Sequence, residues 1–126
     1  MSLEEVRLMD SVLNSIKKLL GIQESYTIFD ADLIMHINST FAMLNQIGIG
    51  PKEGFMIEDS YTTWDEYITQ ANESMVKSYI YLKVRLLFDP PSNNSLTESI
   101  NRQLSELEWR LLLVGDTPTE GGDNIE

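Results

Sequence analysis

Met75-Val-Lys-Ser-Tyr-Ile-Tyr-Leu-Lys-Val-Arg-Leu-Leu-Phe-Asp-Pro-Pro-Ser92 decides the fold. Met75, Val76, Tyr79, Ile80, Leu86 and Leu87 recur at helical spacing and define one apolar face. Asp89-Pro90-Pro91 cannot continue that helix, because proline lacks an amide hydrogen and disfavours helical backbone at the residue before it. Beyond the turn, Ile100, Leu104, Leu107, Leu111 and Val114 follow an a/d seam suited to pairing with a neighbouring helix. Ser95 and Glu98 form a Ser-x-x-Glu capping box at its start, and Gly115 is a natural stop. Residues 71–115 therefore predict an antiparallel helical hairpin whose turn is set by Asp89, Pro90 and Pro91. Glu73–Lys77, Glu98–Arg102 and Glu106–Arg110 are i,i+4 pairs in the favourable order, as expected of solvent-facing helix.

Upstream, two more helices are predicted. Val6, Met9, Val12, Leu13, Ile16, Leu19 and Leu20 give a helical stripe over 3–20, with Gly21 as its stop. Asp30 is a good N-cap for a second helix running to Ile47, with Leu33, Ile34, Ile37, Phe41 and Leu44 on its apolar face. Gly48-Ile49-Gly50-Pro51 ends it. Residues 48–62 have no helical period and read as an irregular excursion, with Phe55-Met56-Ile57 as a candidate short strand. Thr63 and Glu66 form another capping box, opening a short helix from Trp64 to about Gln70. The expected architecture is all-α, a small bundle of four to five helices. Residues 1–115 form a single domain, and an acidic tail over 116–126 is expected to be disordered when unbound.

The composition removes several classes of function. The chain has 126 residues, 42% of them hydrophobic, enough for one packed domain. It has no cysteine, so disulfides, thiolate metal sites and cysteine nucleophiles are excluded. No apolar run approaches the roughly 20 residues that span a bilayer. The formal charge is −11 and is unevenly placed: residues 21–70 hold eight acids against the single base Lys52, and the tail holds four acids and no base. A surface of this sign repels phosphates and argues against a conventional DNA-binding role.

Chemistry is hard to find. The one histidine, His36, lies four residues after Asp32, but no nucleophile accompanies the pair. A helical di-metal site needs Glu-x-x-His, and position 33 is Leu33. Gly48-Ile49-Gly50 lacks the pattern of a phosphate loop. No catalytic, cofactor-binding or metal-binding residue is assigned. One feature remains: Lys77, Tyr81, Arg85 and Phe88 form a second stripe on the 72–88 helix, read either as local salt bridging with peripheral core packing or as a contact surface. Arginine and aromatic residues together are favoured at protein interfaces, so this stripe is the candidate subunit or partner contact. Trp64 and Tyr67 carry the same ambiguity between docking and core roles, with a core plug the commoner fate of such a Trp.

The 75–92 stretch, together with Leu104-Ser-Glu-Leu-Glu-Trp-Arg-Leu111, resembles a family of small connector proteins from phages of Gram-positive bacteria. Asp30-Ala-Asp-Leu-Ile-Met-His-Ile-Asn-Ser39 and Thr63-Trp-Asp65 look like the same family, so the resemblance covers roughly 28–115. It implies a helical head-completion adaptor in the virion neck, assembled in the host cytoplasm. Such a protein forms a ring, of twelve subunits in the virion by family analogy, beneath the portal protein. The ring extends the DNA channel and receives the tail or its stopper. It implies no cofactor and no membrane. A rival from another class is an acidic DNA mimic or inhibitor that binds a basic partner, although the charge is concentrated in the middle segment and not spaced along helices like phosphates.

Overall fold

The computed structural model describes residues 10–67 and 72–116. Four helices form the bundle: α1 (Val12–Leu20), α2 (Asp30–Gln46), α3 (Glu73–Phe88) and α4 (Asn94–Asp116). A single 3-10 turn, Trp64–Glu66, precedes α3. No strand is formed among the described residues. The one β-type contact is an isolated antiparallel bridge between Ser11 and Thr63. There Val12 N–H donates to Thr62 O at 3.0 Å and Trp64 N–H to Asp10 O at 3.1 Å.

The helix starts depart from the sequence expectations, each for a local reason. The helix expected from residue 3 is interrupted at Ser11, which is extended and accepts from Asn14 N–H at 3.1 Å as the N-cap of α1. Val6 and Met9 lie outside the described residues. Asp30 does not cap α2; Phe29 takes the cap position without a side-chain bond, and the Asp30 carboxylate turns to Lys17 instead. The last helix is capped by Asn93, whose Oδ1 accepts from Leu96 N–H at 3.1 Å, and not by Ser95, which lies inside it. Asparagine caps as well as serine, and the earlier start adds helical hydrogen bonds. The helix also runs through Gly115 to Asp116 instead of stopping there. The Thr63–Glu66 box forms, with Thr63 N–H donating to Glu66 Oε2 at 3.0 Å, but it opens only the 3-10 turn. The 68–70 part of that expected helix, and the tail beyond Asp116, lie outside the described residues.

The core sits around α3. Val76, Ile80 and Val84 are buried beneath α2 and α1, and Tyr79 and Leu82 are buried on the side that meets α4. Leu33, Ile37, Phe41 and Leu44 supply α2's share, and Ile100, Leu104 and Leu111 supply α4's. α3 and α4 are antiparallel: Tyr79 Oη donates to Glu108 Oε2 at 2.7 Å, while the chain reverses through Asp89–Asn93. The a/d seam is therefore satisfied within the chain as far as Leu111; Leu107 is half-buried and Val114 is exposed.

Both irregular segments are tied down by side chains. Lys17, fully buried, donates from Nζ to Glu24 O at 3.0 Å and to Tyr26 O at 2.8 Å. Asp30 Oδ1 lies 2.8 Å from the same Nζ, an ion pair without a well-directed hydrogen bond. The 48–62 excursion is held by two asparagines of α2. Asn38 exchanges two bonds with the Ile57 backbone, at 2.9 and 2.8 Å, and Asn45 Nδ2 donates to Pro51 O at 2.8 Å. Asn38 thus fills the place of a partner strand, which is why the expected Phe55–Ile57 strand is absent. Phe41, Phe55 and Tyr67 stack with ring centroids 4.5–5.1 Å apart and bind the excursion to α2. Gly50 makes this approach possible: it has φ +93°, and a Cβ there would lie 2.5 Å from Tyr67 Cε1.

Candidate functional site

α3 is enclosed on most sides, and its remaining open face follows from helical spacing. Ser74 and Ser78 are exposed, and Tyr81 and Arg85 are half-buried, at intervals that keep them on one face. This is where the structure places the Lys77–Tyr81–Arg85–Phe88 stripe, and its four members have different surroundings. Lys77 pairs with Glu73 at 2.7 Å and sits over the Trp64 ring, 5.3 Å from its centroid. Phe88 packs edge-on against Phe29, centroids 5.2 Å apart. Arg85 Nε donates to Asp89 O at 3.3 Å, and Tyr81 packs half-buried against the core. The ends of the stripe are thus engaged within their own subunit, and Tyr81 and Arg85 are its accessible middle. A groove of about 310 Å³ beside them is lined by Ser78 and Leu82 of α3 and by Gln103, Glu106, Leu107 and Arg110 of α4.

Asp89 leaves helical geometry at φ −142°, ψ 66°, and its N–H donates to Arg85 O at 2.9 Å. All peptide bonds among the described residues are trans, those before Pro90 and Pro91 included. Two of the three expected i,i+4 pairs form, Glu73–Lys77 and Glu106–Arg110, both at 2.7 Å; Glu98 and Arg102 do not pair. Trp64 is a core plug: it is fully buried, and its Nε1 donates to Ser15 Oγ at 2.8 Å.

Two tyrosines are held strongly neutral. Burial pushes the Tyr67 hydroxyl well above the usual tyrosine range. Tyr79 is raised likewise, first by burial and then by the hydrogen bond and negative charge of Glu108. Neither is a proton donor near neutral pH. His36 is half-buried on α2, and no ion pair joins it to Asp32. Among the described residues, no group of three or more His, Asp or Glu side chains could hold a metal ion. Among the described residues, no helix is long and apolar enough to cross a membrane.

Sequence reasoning missed three features. Lys17 looked like one of two ordinary basic residues ending α1. Asn38 and Asn45 are seven apart and so share a face of α2, a spacing that was visible but has no meaning until the excursion packs there. Trp109 was legible: it lies two residues before Leu111, about 200° away around the helix and off the seam, where a tryptophan has no core role. It is exposed, as are Leu112, Leu113 and Val114.

A bundle organised around a helical hairpin with apolar surface to spare has the form of an assembly component. The family model for phage connector proteins matches residues 12–118, and the chain belongs to that family. It is a phage structural connector, a component of the head–tail junction of the virion. No match emerged among curated protein sequences or solved structures.

Proposed function

We propose that the chain assembles as a ring beneath the portal of a tailed phage, extends the DNA exit channel and provides the seat for the tail or its stopper. The family match across nearly all the described residues carries this reading. By family analogy the ring in the virion would have twelve subunits. A ring needs heterologous contacts, in which one surface of each subunit meets a different surface of the next. The open face of α3 with Tyr81 and Arg85, and the acid-rich 21–70 segment, are two such surfaces of complementary character. Tyr81 would supply most of the affinity and the charges would set orientation, since exposed ion pairs contribute only about 0–1 kcal/mol each. A channel lined by acidic subunits lets DNA pass without sticking. Residues 1–115 would act as one unit, with the tail free to reach a partner.

Electron microscopy of portal-bearing heads mixed with the purified protein tests this. The expected result is an added ring at the portal vertex. The Tyr81→Ala, Arg85→Glu double variant should remain folded yet fail to add it. Binding to a basic host protein at fixed size, with no density at the portal vertex, would instead support the DNA-mimic alternative. No turnover of nucleotides or nucleic acids is expected, with or without divalent metal. Turnover that vanishes in Asp32→Ala or His36→Ala would overturn the structural role.

A further inference from the structure

Two grooves flank α2. One, of about 770 Å³, lies between α2 and residues 53–56 of the excursion. The other, of about 400 Å³, lies between α2 and α4 over Tyr79, because α3 carries both helices and holds them apart. Gln46 lines both, so α2 is the ridge between two halves of one surface. Its apolar residues are unusually bare: Met35 is 57% exposed, Met43 39%, Met56 67%, Trp109 63% and Leu112 41%. Large apolar side chains clustered this way mark interaction sites. Unbranched methionine adapts to the shape of a partner, and tryptophan is prominent among interface hot spots.

We propose that this surface docks an amphipathic helix with basic flanks, presented by another protein of the assembly. Charge selects the occupant. Glu53 lines one groove and Glu108 the other. Asp32 stands one turn before Met35, and Glu58 and Asp59 come shortly after Met56. The only base in the whole 21–70 segment is Lys52. An apolar floor with an acidic rim fits a helix that is apolar on one face and basic along its edges. It rejects nucleic acid. A second copy of this chain offers less charge along its longer helices, because Lys77, Lys83 and Arg110 already face carboxylates in the same subunit, which leaves Arg85 and Arg102 there. The walls are preformed: Asn38 and Asn45 fix the excursion, and Tyr79 fixes α4 through Glu108. Little ordering cost remains on this side of the contact. The proposal goes beyond the connector reading and does not require a ring, so its failure would leave that reading intact.

The test uses the full chain in solution and an 18-residue model peptide of leucine and lysine at helical spacing, with a leucine–glutamate peptide of the same pattern as control. Because Trp64 is fully buried, a blue shift of tryptophan emission on binding reports Trp109. The lysine peptide should bind, shift the emission and show an apolar burial signature in its heat-capacity change; the glutamate peptide should not bind. Met35→Glu with Met43→Glu, and separately Met56→Glu, should weaken binding about tenfold or more despite added negative charge. If these variants bind the lysine peptide as well as or better than the wild type, the contact is generic charge attraction and the proposal is overturned. Equal binding of the glutamate peptide would overturn it as well.

Discussion

Two long irregular segments lie among the described residues, and they are anchored in opposite ways. Residues 21–29 gather around one buried cation, with Lys17 holding two carbonyls and the Asp30 carboxylate. Residues 48–62 are pinned by neutral amides, Asn38 and Asn45, and by the Phe41–Phe55–Tyr67 ring cluster. A buried charge concentrates the anchoring at one atom, because its loss takes the partner from two carbonyls and a carboxylate at once. Amides and rings spread it over several contacts, each of which can fail separately. The first segment should therefore be brittle and the second graded.

The largest effect is expected for Lys17→Met. Removing one member of a buried pair costs about 3–5 kcal/mol, most of it from the orphaned partner. Urea unfolding should show that loss, and adding Asp30→Asn should recover part of it, since no unpaired carboxylate then remains. A loss below about 1 kcal/mol would mean that the loop is held by its apolar contacts, such as Phe29 on Phe88, and the contrast between the two segments would collapse.

Asn38→Ala should cost roughly 2 kcal/mol, because it leaves the Ile57 N–H and C=O without their partners. Proteolysis within 53–62 should quicken while α3 and α4 stay protected from hydrogen exchange. If global unfolding and local cleavage change together, the excursion is not a separable unit.

Alkaline titration sharpens the comparison on the excursion side. The folded pKa values of Tyr67 and Tyr79 lie above the ordinary 10.0. The stability that this brings is complete below the unfolded value and is lost as pH rises through and beyond it. By ultraviolet absorbance, Tyr67 and Tyr79 should ionise only as the protein unfolds. Titration of Tyr67 while the protein stays folded would show that its ring cluster is open to water.

Most of the fold was written in apolar periods, which report burial directly. Val76, Ile80, Leu104 and Leu111 are core because their spacing allows nothing else, and the Pro90-Pro91 turn announces itself by chemistry. The helix starts were harder, since Ser11, Asn93 and Ser95 are all acceptable caps and only packing chooses among them. The anchoring of the loops was not legible, because Lys17 and Asn38 act on backbone groups brought near by folding. The same limit applies to the candidate contact: helical spacing groups the four residues of the stripe, yet periodicity gives no sign that Lys77 stacks on Trp64 or that Phe88 meets Phe29. The exposed methionines escaped notice because methionine reads as core until neighbouring helices fail to cover it.

The smallest effect on stability, and the most revealing for architecture, is expected at the third connection. Residues 89–93 have neither a buried cation nor a ring cluster. They have Asp89, Pro90 and Pro91, with Asn93 as the cap of α4. Pro90→Ala with Pro91→Ala removes no packing of consequence at Pro90, which is exposed, and little at Pro91, which is half-buried. The loss acts mainly through the freer unfolded chain and should be about 1–2 kcal/mol for the pair. Its structural consequence is larger, because α3 and α4 are then joined by residues that can all be helical. Fusion into one long helix would separate Tyr79 from Glu108 and expose both halves of the seam, which a second chain could cover by exchange. Light scattering should detect a dimer or larger species that the wild type does not form under the same conditions. A double variant with wild-type stability and association state would show that Asn93 and the seam alone set the hairpin, and that the prolines only accompany a turn the helices already dictate.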